Sequence, residues 1–146
     1  MFDQGGLIVF NPDEDTTTWI KMGIEVLGGK PPVMSVATSQ WSDAAIKPLG
    51  KEKDGKLMIQ LERQMKEGKK LDSLLIYIVD EETGRKEEIR WITWWFTDQK
   101  ISKETSDNRC LLIGVYAAWP TVPGEGREHE ELVIKLEDFE VKLFDN

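Results

Sequence analysis

Trp19, Lys21, Gly23 and Glu25 occupy every second position of Thr18-Trp19-Ile20-Lys21-Met22-Gly23-Ile24-Glu25. Alternate side chains of a strand share a face, so this spacing gathers an aromatic ring, an ammonium, a gap without a side chain and a carboxylate. A ring that stacks beside groups that hydrogen-bond is the chemistry of a sugar-binding or peptide-binding surface. The same row also reads as a solvated sheet face carrying a cross-strand ion pair. Trp41, Ser42 and Asp43 follow the next strand at a loop rim, where a Trp anchors a ligand or lids the core. Gln60 and Glu62 alternate on a third strand, and Tyr116 stands on a late one. The ligand-binding candidates are therefore Trp19, Lys21, Glu25, Trp41, Asp43, Gln60, Glu62 and Tyr116.

Catalytic constellations are weaker. Glycoside hydrolysis needs two carboxylates about 5 to 10 Å apart, and Glu137, Asp138 and Glu140 form one cluster while Glu25 with Glu62 forms a second pair. With 27 acidic residues in the chain, such pairs arise by chance. No Gly-x-Ser-x-Gly, Ser-x-x-Lys or glycine-rich phosphate loop occurs. Asn11-Pro12-Asp13-Glu14-Asp15 offers oxygen ligands without calcium-loop spacing and reads first as a turn. One Cys and one His exclude a zinc finger or an internal disulfide. Cys110 reads as a buried thiol and His129 as part of a charged loop. No cofactor and no metal are expected.

The elements that must position these residues are strands. In Thr17 to Leu27, the set Ile20, Met22, Ile24 and Val26 alternates with Trp19, Lys21, Gly23 and Glu25, which predicts one face on a core and one toward solvent. Similar patterns run through Val33 to Gln40, Leu57 to Glu62, Leu74 to Val79, Glu88 to Phe96, Cys110 to Trp119 and Leu132 to Phe144. Leu57 to Lys70 also fits a helical face, but Leu57, Ile59 and Leu61 fit alternation better. Within Glu88 to Phe96, alternation sends Trp91 and Trp95 to one face and Trp94 to the other. Lys100 to Asn108 and Pro120 to Glu131 read as long loops. About eight strands in 146 residues predict a single all-β domain, an antiparallel sandwich.

Phe2-Asp3-Gln4-Gly5-Gly6-Leu7-Ile8-Val9, Trp19-Ile20-Lys21-Met22-Gly23-Ile24-Glu25, and Ser35-Val36-Ala37-Thr38 with Trp41-Ser42-Asp43 together resemble the regulation of enolase protein family. The likeness continues through Leu57 to Arg63 and, weakly, to Phe139 to Phe144. It implies a concanavalin A-like jelly roll, a fold shared with lectins, laminarinases and carbohydrate-binding modules. Retaining enzymes on that fold carry a Glu-x-Asp-x-Glu strand, which Glu137-Asp138-Phe139-Glu140 does not match. Family members carry strands before the Asp-Gln-Gly block, so this chain looks N-terminally shortened. A sheet lacking a strand leaves an edge to be covered, charged or paired with another copy, which implies a homo-oligomer.

Nineteen basic residues against 27 acidic ones give a net charge of −8, which opposes nucleic acid as a partner. No apolar run is long enough to span a membrane, and the acidic start is unlike a signal peptide. A cytoplasmic location is expected. The functional expectation is a non-catalytic binding or regulatory protein, by resemblance a regulator of a glycolytic enzyme such as enolase. The alternative is a carbohydrate-binding module or glycosidase-like protein using the Trp19, Lys21 and Glu25 face.

Overall fold

The computed structural model describes residues 3–11, 18–27, 30–49, 56–97, 111–119 and 131–143. Eight strands are present, and no helix occurs among the described residues: β1 Gln4–Asn11, β2 Thr18–Glu25, β3 Pro32–Thr38, β4 Ser42–Pro48, β5 Met58–Lys66, β6 Lys69–Val79, β7 Lys86–Ile92 and β8 Leu112–Ala118. They form a five-stranded sheet in the order β4-β3-β2-β1-β8 and a three-stranded sheet in the order β5-β6-β7, antiparallel throughout. The architecture is an all-β sandwich consistent with a jelly roll. The Leu57–Lys70 ambiguity resolves as strand, because β-branched and apolar residues on one side of β5 meet those of β6: Ile59 faces Ile78 and Leu61 faces Ile76.

Register decides which side chains enter the core. Val9, Ile20 and Ala37 are directly opposed across β1, β2 and β3, and Met22 and Val33 lie on the same side one and two steps along. They pack against Leu74, Ile76, Ile78 and Ile92 of the smaller sheet, with Trp95 and Phe96 closing one end. Burying such a side chain stabilises by roughly 1.5–3 kcal/mol, so this layer holds the sheets together.

The strand expected over Glu88–Phe96 stops at Ile92, and residues 93–97 form a turn. Strand alternation therefore fails there: Trp91 is exposed on the outer face while Trp95 is only 1% exposed in the core, and the two do not share a face. No strand forms within residues 132–143, the described part of the last expected strand. Asp138 takes a positive φ of 53°, a conformation that interrupts an extended run. Conversely, β4 was hidden in the sequence by Ala44, Ala45 and Lys47, which give no apolar alternation. Cys110, His129, the calcium-like turn after Asn11 and both expected long loops lie outside the described residues, apart from Asn11 and Glu131 at their borders.

One edge of the sandwich is fastened by charge. Arg90 on β7 points between the sheets, where its guanidinium donates to the Ser35 carbonyl at 2.8 Å, the Asp43 carbonyl at 3.1 Å and the Asp43 carboxylate at 2.7 Å. Lys47 and Glu87 form a second ion pair between β4 and β7. The opposite side is less covered. Three strands cannot span five, and on β8 the core-side residues Ile113 and Val115 remain 43% and 46% exposed.

Because the Arg90 side chain is only 10% exposed and Asp43's is 81% exposed, the two halves of the pair differ in consequence. Arg90→Ala removes a largely buried guanidinium and its bonds to the carbonyls of buried Ser35 and of Asp43, and is expected to lower unfolding free energy by roughly 2–4 kcal/mol. Asp43→Ala keeps the carbonyl acceptors and is expected to cost about 1 kcal/mol or less. Urea unfolding of both variants checks the order, and equal losses would contradict it.

Candidate functional site

The outer face of the five-stranded sheet, turned away from the core, is built from the residues that alternate with the core set. Its rows follow from the pairing. Leu112, Phe10, Trp19, Thr38 and Ser42 form the first, and Gly114, Ile8, Lys21, Val36 and Ala44 the second. Tyr116, Gly6, Gly23, Met34 and Ile46 form the third, and Ala118, Gln4 and Glu25 begin the fourth. Trp19, Lys21, Glu25 and Tyr116 are thus brought to one surface.

Gly6 and Gly23 are directly opposed at the centre of this face. A Cβ on Gly23 would lie 1.9 Å from the Gly5 carbonyl oxygen, and one on Gly6 would lie 2.1 Å from the Met22 carbonyl oxygen. Backbone fills the volume on each side, so only glycine permits this approach of β1 and β2. The pair also leaves a strip of the face without side chains.

Lys21 uses that strip. Its Nζ donates to Gln4 Oε1 at 2.6 Å, although Gln4 opposes Glu25 rather than Lys21, so the side chain runs over the glycine pair. There the ammonium also lies 5.7 Å from the centre of the Tyr116 ring, within cation–π range. The cross-strand partner of Lys21 is therefore a carboxamide and an aromatic ring, not an acid. Glu25 departs from the solvent-facing expectation. It is 8% exposed and Gln4 is 9% exposed, and among the described residues no hydrogen bond reaches the Glu25 carboxylate. Tyr116 has its phenol pKa pushed up to about 12, first by burial and then by the negative charge of Glu25. At neutral pH it is a hydroxyl donor.

The other sequence candidates lie elsewhere. Gln60 and Glu62 are on the outer face of the three-stranded sheet, on the far side of the sandwich, where Glu62 accepts from Gln60 at 2.9 Å and from Lys86 at 2.8 Å. The same carboxylate, after burial, raises the Tyr77 phenol pKa, with Glu88 adding to it. Glu25 and Glu62 thus face outward from opposite sheets and cannot flank one bond. Trp41 is 85% exposed in the turn before β4, and Asp43 is engaged by Arg90. Glu137 and Glu140 form ion pairs with Lys135 and Lys142. Gln4 was missed in the sequence reading; its signal was its place two residues before Gly6 in the Asp-Gln-Gly block.

Residues 1–142 match a family described as a protein of unknown function (DUF1349). The chain belongs to the DUF1349 family. It is 34% identical over 124 residues to the Uncharacterized protein AN7484 of Emericella nidulans, a match covering 84% of this chain and 54% of that protein. The chain thus spans about half the length of this curated relative. No solved structure matches it. The DUF1349 description and the fungal relative's name carry no mention of enolase, so the regulation of enolase resemblance is not part of the family assignment.

Two measurements probe the face. Gly23→Ala must push backbone aside and is expected to cost roughly 1–3 kcal/mol. Gly114→Ala, where an added Cβ meets nothing within 4 Å, is expected to change stability by about 0.5 kcal/mol or less. The raised Tyr116 pKa means that the native state holds its proton more tightly than the unfolded chain. This contribution is full below pH 10 and is lost as pH rises toward about 12. Unfolding curves of wild type and Tyr116→Phe across that interval are expected to show a steeper decline for wild type, and parallel declines would contradict the burial of the phenol.

Proposed function

We propose that this protein is a non-catalytic carbohydrate-binding sandwich whose ligand rests on the outer face of the five-stranded sheet. The observation that carries the reading is the burial of Gln4 and Glu25 on a sheet face directed away from the core. Core packing gives no reason for a carboxylate and a carboxamide there, and beyond the Lys21 bond to Gln4 their hydrogen-bonding capacity is available to a ligand. Hydroxyls of a sugar supply such partners. Gln4 offers donors and an acceptor, Glu25 accepts, and Lys21 and the neutral Tyr116 phenol donate. Trp19, opposed by Phe10, supplies the apolar surface on which a sugar ring stacks.

Glu25→Gln and Trp19→Ala are expected to abolish sugar binding in calorimetric titration while the melting temperature changes little. Retained binding in both variants would overturn the assignment of this face, and a large fall in melting temperature would mark the residues as structural.

A second reading is favoured by a different surface. The half-exposed Ile113 and Val115 on the core side of β8 form an apolar strip of the kind a protein partner covers. By resemblance that partner is a glycolytic enzyme such as enolase, whose activity this chain would tune. Val115→Asp is the discriminating variant: loss of any effect on purified enolase with sugar binding intact would assign the two surfaces to separate roles.

A further inference from the structure

β8 ends the five-stranded sheet, and among the described residues no strand covers its second edge. The other edge strands carry charges that deter pairing, such as Lys47 on β4, Glu62 and Lys66 on β5, and Glu87 and Arg90 on β7. β8 reads Leu-Ile-Gly-Val-Tyr-Ala-Ala and has none. Its core-side Ile113 and Val115 are about half exposed. Residues 139–143 have the opposite lack. They join no strand, yet Phe139, Val141 and Leu143, which are 52%, 47% and 90% exposed, alternate with Glu140 and Lys142. Glu140 and Lys142 form an ion pair with each other at 3.0 Å, as two residues on one side of an extended segment do. Upstream, Ile134 fills the space that a Cβ on Gly5 would take, and Gly5 lies opposite Ala117 of β8. The segment is thus held next to β8, and Asp138, with its positive φ, separates the held part from the five residues that follow.

We infer that residues 139–143 of one copy add as a short strand to the free edge of β8 in a second copy, and that the exchange is reciprocal in a two-fold dimer. The side-chain patterns fit. An added strand that sets Phe139, Val141 and Leu143 beside the core-side Ile113 and Val115 turns Glu140 and Lys142 to the outer side, level with Gly114 and Tyr116, where charge meets water. Backbone pairing along an exposed edge supplies affinity, and the alternating side chains supply register. A second copy is the occupant that the chain itself provides. Each molecule brings an apolar arm without a partner and an uncharged edge without a partner, so a two-fold axis satisfies both at once and leaves no edge open to a third chain.

The test is sedimentation equilibrium of the full chain from about 1 to 100 µM. A dimer is expected within that range. A chain that stays monomeric throughout overturns the inference and leaves Ile113 and Val115 to the enzyme partner proposed above. Val141→Lys spoils the arm and Ile113→Lys the edge, and both residues are about half exposed in the single molecule. Each variant alone is expected to dimerise at least about tenfold more weakly than wild type, and wild-type affinity in both overturns the inference. Mixing the two variants restores one intact arm-on-edge contact per heterodimer, so the mixture is expected to associate at lower concentration than either alone. A mixture that associates no better than its separate components overturns the pairing of arm with edge. Should one variant not fold, the wild-type series and the remaining variant decide.

Discussion

The close approach of β1 and β2 at Gly6 and Gly23 is the constraint on which the larger sheet and its outer face depend. A Cβ at either position would run into the opposing backbone, so without these two residues the strands would be forced apart at the centre of the sheet. The same pair strips the outer face of side chains at one place, which lets Lys21 reach Gln4 and Tyr116. One backbone contact therefore sets both the packing of the scaffold and the shape of the surface that carries its polar groups. The core answers from the other side, where Ile20 and Met22 are fully buried beside it.

The division of labour between the sheets follows from their unequal width. The three-stranded sheet buries the central strands of its partner and is anchored at the β4–β7 edge by Arg90 and by the Lys47–Glu87 pair. Polar anchoring is used where sheet edges meet and apolar packing where faces meet, as expected when a buried guanidinium must find several acceptors at once. Glu62, Lys86 and Tyr77 on the far outer face satisfy one another, and on the larger sheet Gln4 takes the Lys21 ammonium while the neighbouring Glu25 is buried beside it.

Period-two alternation made β2, β3, β5 and β6 legible in the sequence, because each has one apolar and one polar side. It also placed Trp19, Lys21 and Glu25 on a single face. What it could not supply was pairing. That Tyr116 joins Lys21, and that Glu62 does not join Glu25, depends on which strands are neighbours, a fact carried by contacts between distant parts of the chain. β4 escaped notice because alanine and lysine leave no contrast between its sides. Leu132–Leu143 showed a strand-like pattern without forming one, since alternation states a tendency and a strand also needs a partner to accept its backbone hydrogen bonds. Residue 41 was placed at a rim and sits in a turn, but the ion pair that occupies Asp43 could not be read from its neighbours.

The pairing of β1 with β8 joins the first and last strands among the described residues, with Leu7 opposite Val115. Contacts this distant in sequence close late, because loop entropy opposes them until most of the intervening chain is ordered. During synthesis, β1 emerges well before β8, so it can settle on β2 at once but must wait for β8 before its second edge is covered. For that interval it presents an apolar ladder of unpaired backbone groups to other nascent chains, the condition under which edge strands recruit the wrong neighbour. The sheet order thus ties the yield of correctly folded protein to the timing of elongation.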